Sequence, residues 1–274
     1  MAGVETKALQ GRRVLVTRAG SGQDALAAHL RALGAEPLEL PVSRIVPPAD
    51  WGPADAAIAR LEEYEWLVFT SQNGVDGFFG RLAGPVPGDV RIAAVGEATA
   101  ACLKERGLSP GLVPAEYSGQ GVLAALRPLV APGTRVLLPR GDLASPLLPT
   151  GLRQAGAAVD EVVVYCNVPD RSRARELQAM LAARGLDAVT FASSSAVTHL
   201  LDILRVDAAG AGTPQVDAPA ADPSSLLAGV IVACIGPQTA ATARQRGLHV
   251  DVVPTVATLP ALAEALAAAL GAAF

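Results

Sequence analysis

The sequence predicts an α/β protein with parallel sheets, built from two copies of one structural unit. Short runs of Val, Leu and Ile alternate with longer Ala-, Leu- and Arg-rich segments of helical period. The short runs are apolar throughout, which is typical of strands buried on both faces of a parallel sheet. The chain also repeats itself internally, and its 274 residues exceed what a single core usually organises.

The predicted elements follow one another as strand, turn and helix. The first strand covers 14–17, and the helix over 24–34 places three leucines on one face and ends at Gly34. Residues 1–11 are expected to form a frayed tail, and the Ala-, Gly-, Pro- and Asp-rich segment 206–225 a mobile surface loop. The other predicted strands are 38–42, 66–71, 91–96, 135–139, 159–165, 187–193 and 230–236.

The internal repeat indicates a duplication. Residues 96–108 match 236–248 at seven of thirteen positions. Two further pairs of segments are similar. With 14–40 called A, 68–75 called B and 96–108 called C, the copies follow in the order A–B–C–A′–B′–C′. Two tandem domains would satisfy this order, and so would one domain inserted into another. The further pairs are 68–75 with 190–197, and 14–40 with 136–162.

Composition excludes several classes of protein. With 51% apolar and 18% charged residues the chain is not intrinsically disordered, and a net charge of −4 gives no reason to expect nucleic-acid binding. Three cysteines are too few for a disulfide scaffold, and the three histidines lack ligand-like spacing, so no metal site is expected. The N-terminus lacks a signal-like apolar stretch, and no segment is long enough for a membrane span. We expect a cytoplasmic monomer.

Two functional alternatives come from the residues alone. The segment 20–25 fits G-x-G-x-x-A, which is typical of dinucleotide-binding turns, and would suit a nicotinamide oxidoreductase. Its repeat at 140–145 lacks those glycines. A duplicated α/β chain also suits a non-catalytic two-lobed protein that binds an anionic small molecule.

Two strand–helix junctions carry clustered hydroxyl groups, at 70–74 and 192–195. Such junctions lie beyond the carboxyl ends of the strands, where open α/β sheets bind ligands and helix N-termini favour anions. Thr99 and Thr239 follow two further strands in the same way. Each hydroxyl is also explained as a helix cap, so only the matching pair favours a shared anion-binding cleft. Tyr165 ends a strand and is either a packing aromatic or a phenol that donates a proton.

Seven segments, taken together and in order, resemble the uroporphyrinogen-III synthase family. The resemblance runs from about residue 14 to about residue 270, and only the ordered set is specific. The segments are 14–42, 67–79, 93–108, 113–126, 159–169, 187–201 and 234–254.

The resemblance implies two α/β domains joined by a two-stranded β-ladder, with the active site in the cleft between them. One domain then consists of 1–38 plus 170–274 and the other of 45–161. The two strands of the ladder cover 38–45 and 161–169, and their connecting parts are 39–44 and 162–169. The implied reaction cyclises the linear tetrapyrrole hydroxymethylbilane to uroporphyrinogen III, with inversion of ring D and loss of water. The implied enzyme uses neither metal nor organic cofactor.

The resemblance also implies roles for individual residues. Tyr165 matches the family tyrosine proposed to help expel the hydroxyl group. Ser194 departs from the family pattern, which often has Pro there. The departure weakens the match on which the assignment of the two neighbouring serines as substrate contacts depends. The residues expected to contact substrate are Arg18, Ser71, Asn73, Gly74, Thr99, Arg140, Ser193, Ser195 and Thr239.

Overall fold

The computed structural model describes residues 7–18, 25–207 and 223–271. Its contacts divide the chain into two compact units. Unit 1 comprises Met1–Arg44 and Val168–Phe274, and unit 2 comprises Ile45–Asn167. Each unit contains a parallel sheet with helices, so the predicted α/β class with parallel sheets is confirmed.

The elements follow the predicted order, and each predicted strand begins within two residues of the start of an observed one. The first half of the chain contains β1 (Arg13–Val16), α1 (Ala25–Ala32), β2 (Glu36–Glu39), β3 (Ser43–Val46), α2 (Gly52–Ile58), β4 (Trp66–Phe69), α3 (Gln72–Phe79), β5 (Arg91–Ala94), α4 (Glu97–Lys104) and α5 (Gly119–Leu126). The second half contains β6 (Arg135–Gly141), α6 (Leu147–Gln154), β7 (Ala158–Pro169), α7 (Ala174–Ala182), β8 (Ala188–Phe191), α8 (Ser194–Asp207), β9 (Ile231–Cys234), α9 (Pro237–Gln245) and α10 (Leu259–Gly271).

The two sheets have the same strand order within their repeated parts. Unit 1 has the order β2-β1-β8-β9, and the other sheet has the order β3-β7-β6-β4-β5. Strands β7, β6, β4 and β5 are the repeat counterparts of β2, β1, β8 and β9. The copies therefore share one topology, although the strands occur in a permuted order along the chain.

The turns that end α4 and α9, the helices of the best-matching repeat, are also alike. Gly107 and Gly247 have φ of +76° and +86°, the left-handed conformation that glycine adopts without steric cost. In both copies the next residue donates its N–H to the carbonyl five residues earlier, at 3.1 and 2.9 Å. This is the Schellman ending of a helix, so the repeated R-G-L sequence has the same structural role in each unit.

Alternation along the strands builds a core on each face of both sheets. In β1, Val14 and Val16 belong to one apolar cluster and Leu15 to another, and all three are fully buried. In β4, Leu67 and Phe69 face a cluster different from that of Val68. Helices on both faces therefore explain why the strands are apolar at every position.

Three local expectations need correction. Segment 38–45 is not one strand, because β2 ends at Glu39 and β3 begins at Ser43 in a different sheet. Between them, Leu40 and Val42 donate backbone N–H groups to the edge of β1 and enter the core of unit 1, while Pro41 has no N–H to donate. The expected frayed tail, 1–11, lies outside the described residues as far as residue 6, and in its described part Leu9 is fully buried. The expected loop 206–225 falls mainly outside the described residues, and its described end starts a 3₁₀ helix, Pro223–Leu227.

Candidate functional site

The junction between β4 and α3 brings four of the predicted residues together. Ser71 is the N-cap of α3, and its Oγ accepts a hydrogen bond from the backbone N–H of Gly74 at 3.0 Å. The same Oγ lies 3.2 Å from the hydroxyl oxygen of Tyr165. Asn73 is exposed in the first turn of α3. A phenol therefore lies beside a capping hydroxyl at a helix N-terminus, where the local dipole favours negative charge.

The position of Tyr165 depends on an irregularity in the pairing of β6 with β7. Arg140 pairs with Val163, but Gly141 pairs with Tyr165, so β7 carries one extra residue there. Such a bulge redirects the side chains that follow it. The phenol ring lies directly on the backbone of Gly141, where a Cβ would be 2.6 Å from Cε2 and Cζ of the tyrosine. Only glycine at 141 leaves room for Tyr165 in this position.

Two other predicted residues of unit 2 are buried. Arg140 is 9% exposed; its guanidinium forms an ion pair with Glu161 and donates to the carbonyl of Ser145 at 2.8 Å. The guanidinium is therefore hydrogen-bonded by groups of the protein itself, which indicates a structural role rather than binding of a substrate carboxylate. Thr99 is 4% exposed in the first turn of α4. Within the described residues, neither side chain is hydrogen-bonded to Tyr165.

Unit 1 carries the equivalent junction between β8 and α8. Ser193 Oγ accepts a hydrogen bond from the N–H of Ala196 at 3.2 Å and lies 3.0 Å from Ser195 Oγ. This cap repeats the one that Ser71 makes. Thr239 is 5% exposed in the first turn of α9, like Thr99 in α4. Arg18 is exposed and lies two residues after the end of β1.

Tyr117 is a candidate that the site prediction missed. Its ring is 57% exposed and lies against Gly96, where a Cβ would be 2.9 Å from the ring Cγ. A hydrogen bond to Glu97 raises the pKa of this phenol. The signal was available in E-Y-S-G at 116–119, a tyrosine just before the N-cap of α5. At the repeat position unit 1 has Ala257, so the aromatic belongs to one copy only.

The alternative sites can be located only in part. The dinucleotide-like motif at 20–25 lies outside the described residues except for Ala25. Within 7–18, 25–207 and 223–271, no three His, Cys, Asp or Glu side chains group closely enough to hold a metal ion. Over the same ranges, no helix combines the length and apolar character that crossing a membrane requires.

Comparison with known proteins assigns the family. Residues 24–264 match the family model described as uroporphyrinogen-III synthase HemD. The chain is 32% identical over 266 residues to the uroporphyrinogen-III synthase of Synechococcus elongatus, covering 93% of this chain and 94% of that protein. The chain belongs to the uroporphyrinogen-III synthase family. The resemblance inferred from the sequence is thereby confirmed.

Other relatives agree with this assignment. The uroporphyrinogen-III synthase of Chlorobaculum parvum is 27% identical over 269 residues, covering 94% of this chain and 99% of that one. A crystal structure of mutant uroporphyrinogen III synthase from the extremely thermophilic bacterium Thermus thermophilus has a TM-score of 0.61 at 23% identity, with 95% and 99% coverage. That of uroporphyrinogen-III synthetase from Helicobacter pylori has 0.60 at 18%, with 94% and 99% coverage. These two structures share the fold of this chain.

Proposed function

We propose that this protein is a uroporphyrinogen-III synthase, which converts hydroxymethylbilane into uroporphyrinogen III with inversion of ring D and release of water. The observation that carries the proposal is the pair formed by Tyr165 and Ser71 at the N-terminus of α3, 3.2 Å apart. In this pair the phenol of Tyr165 is the weak acid that the reaction of the family requires. Membership of the family over 24–264 supports the reaction class.

The first step needs a proton for a leaving hydroxyl group. In this proposal the phenol of Tyr165 gives its proton to the terminal hydroxymethyl oxygen while the pyrrole nitrogen donates electrons, so that the C–O bond breaks and water leaves. Ser71 Oγ accepts from the N–H of Gly74, so its own proton is available for the phenolate oxygen. A proton lost from carbon at the final ring closure restores the phenol.

The second requirement is steering, because the substrate carries eight carboxylates and cyclises wrongly when free. We propose that hydroxyls and N–H groups at the strand–helix junctions bind carboxylates of the substrate. The candidates are Ser71 and Asn73 after β4, and Ser193 and Ser195 after β8. Binding several carboxylates of one flexible molecule converts the ring closure into a proximity effect.

The remaining parts of the proposal concern organisation. We propose that the units correspond to the two domains expected at 1–38 plus 170–274 and at 45–161, with 39–44 and 162–169 as the segments that connect them. We also propose a monomer in the cytoplasm. Three free cysteines suit a reducing compartment, and light scattering during size exclusion would measure the mass against 27.8 kDa.

A comparison of two tyrosine variants tests the catalytic proposal. Tyr165→Phe is expected to lower kcat for formation of the type III isomer by about 10- to 1000-fold, the effect of losing one general acid. Tyr64→Phe removes a buried phenol of the same unit, away from this junction, and is expected to leave kcat unchanged. Unchanged turnover of Tyr165→Phe would remove Tyr165 from the mechanism. Saturable binding of the tetrapyrrole without any turnover of the wild type would instead favour a binding protein.

A further inference from the structure

Unit 2 contains a groove of about 370 Å³ that includes Asn73 and Tyr165 and extends to residues that the mechanism above does not use. One wall is a single face of α3, at positions i, i+3, i+4 and i+7. These are Asn73, Asp76, Gly77 and Gly80. Gly77 lies against β7, where a Cβ would be 2.4 Å from the carbonyl oxygen of Val164, so its missing side chain lets α3 pack directly on the strand that lines the groove. Its volume lies within the range of about 300–1,000 Å³ typical of small-molecule sites.

The opposite wall is apolar and includes an indole. It consists of Ile45, Val46, Pro47 and Trp51, and the Ile45 side chain is 46% exposed. The guanidinium of Arg81 lies 5.5 Å from the centre of the Trp51 ring and is itself held by Asp55 at 2.6 and 2.7 Å. Trp51 thus has a cation–π contact with Arg81, and it lines the groove beside a half-exposed isoleucine.

The groove continues directly into the candidate site. Val164 and Tyr165 also line it, so a ring bound there lies beside the phenol. Polar groups differ along its length: Asn73 brings an amide at the N-terminal end of α3, whereas Asp76 brings a carboxylate, 2.6 Å from the guanidinium of Arg106. An anionic substituent is favoured at the Asn73 end, by the amide and the helix dipole, and disfavoured beside Asp76.

We infer that this groove binds the terminal pyrrole ring that carries the hydroxymethyl group, with its acidic side chains toward Asn73. The inference rests on the proposed function. A flat ring fits between α3 and the wall formed by Ile45 and Trp51, where both faces of the ring are buried from solvent. In that position the hydroxymethyl carbon is adjacent to Tyr165, and Trp51 is a positioning residue for the ring whose C–O bond breaks.

The first test uses the wild-type chain and a monopyrrole that bears one acetate and one propionate group. The protein has two tryptophans, and Trp66 is 3% exposed in a different apolar cluster. Two-dimensional ¹⁵N NMR therefore reports one indole N–H inside the groove and one outside it. Saturable shifts of the Trp51 signal with an unmoved Trp66 signal are expected. Saturable binding that leaves Trp51 unmoved would overturn the inference, as would no binding at millimolar monopyrrole.

A pair of charge substitutions gives the second test. Ile45→Glu places a carboxylate in the groove and is expected to weaken monopyrrole binding and to lower kcat/KM for the bilane by about tenfold or more. Leu129→Glu is the matched control, since Leu129 is 48% exposed in the same unit and does not line the groove. Equal effects of the two substitutions would contradict the inference. Type III product from the wild type would then still support the proposed function, so the two failures are distinguishable.

Discussion

Replacing Gly141 by Ala tests whether the exact position of Tyr165 matters for turnover. The new Cβ would lie 2.6 Å from two ring carbons of Tyr165 and 2.8 Å from its hydroxyl oxygen. Ordinary carbon contacts are about 3.5–4.0 Å, so the ring has to move by about 1 Å. A displacement of about 1 Å at a reacting group costs about 100-fold in rate. We therefore expect kcat for type III formation to fall by about that factor.

The assay measures initial rates with freshly made hydroxymethylbilane, and thermal unfolding shows whether the variant remains folded. Gly84→Ala is the matched control, because no atom lies within 4 Å of a Cβ at that position. In a double-mutant cycle, Gly141→Ala is expected to have little further effect once Tyr165 is Phe, since the displaced hydroxyl is already absent. A wild-type rate for Gly141→Ala, or an equal loss in the Tyr165→Phe background, would refute this reasoning.

Two further predictions concern buried polar groups of unit 2. Arg140→Gln removes the ion pair with Glu161. It is expected to lower the free energy of unfolding, measured in urea, by about 2–3 kcal/mol and to leave KM unchanged. A raised KM at unchanged stability would instead indicate that Arg140 contacts the substrate. Tyr64 donates to Asp160 at 2.5 Å, and burial, followed by that carboxylate, raises its pKa from 10.0 to about 12. Because the folded state holds this proton more tightly, its stabilisation is complete below about pH 10 and lost as the pH rises toward 12. Tyr64→Phe is expected to lose about 1–2 kcal/mol at neutral pH together with that pH dependence, and an unchanged alkaline slope would contradict the assignment.

Much of the fold could be predicted because each repeated segment is defined by residues that are close together in the sequence. Each strand–turn–helix segment carries its own apolar period and turn residues, such as Gly107 and Gly247, which end equivalent helices. Comparing the copies therefore identifies elements without knowledge of their partners. The serine caps at Ser71 and Ser193 were predictable for the same reason, since an N-cap depends on residues within one turn.

The features that depend on distant residues could not be predicted. That Tyr165 lies on Gly141 follows from a shifted register between β6 and β7, which no local pattern indicates. Arg140 looked available for a carboxylate because its partner, Glu161, lies 21 positions away on the neighbouring strand. The groove forms only when Ile45 and Trp51 face α3, so its lining was invisible as a motif.

The identity of the product isomer tests the central claim most directly. Freshly prepared hydroxymethylbilane is mixed with an excess of the purified protein, and the macrocycle is oxidised and separated into its isomers. The proposed function predicts that the type III isomer predominates, whereas a parallel sample without protein gives type I. Formation of type I alone at every protein concentration would contradict a synthase that inverts ring D.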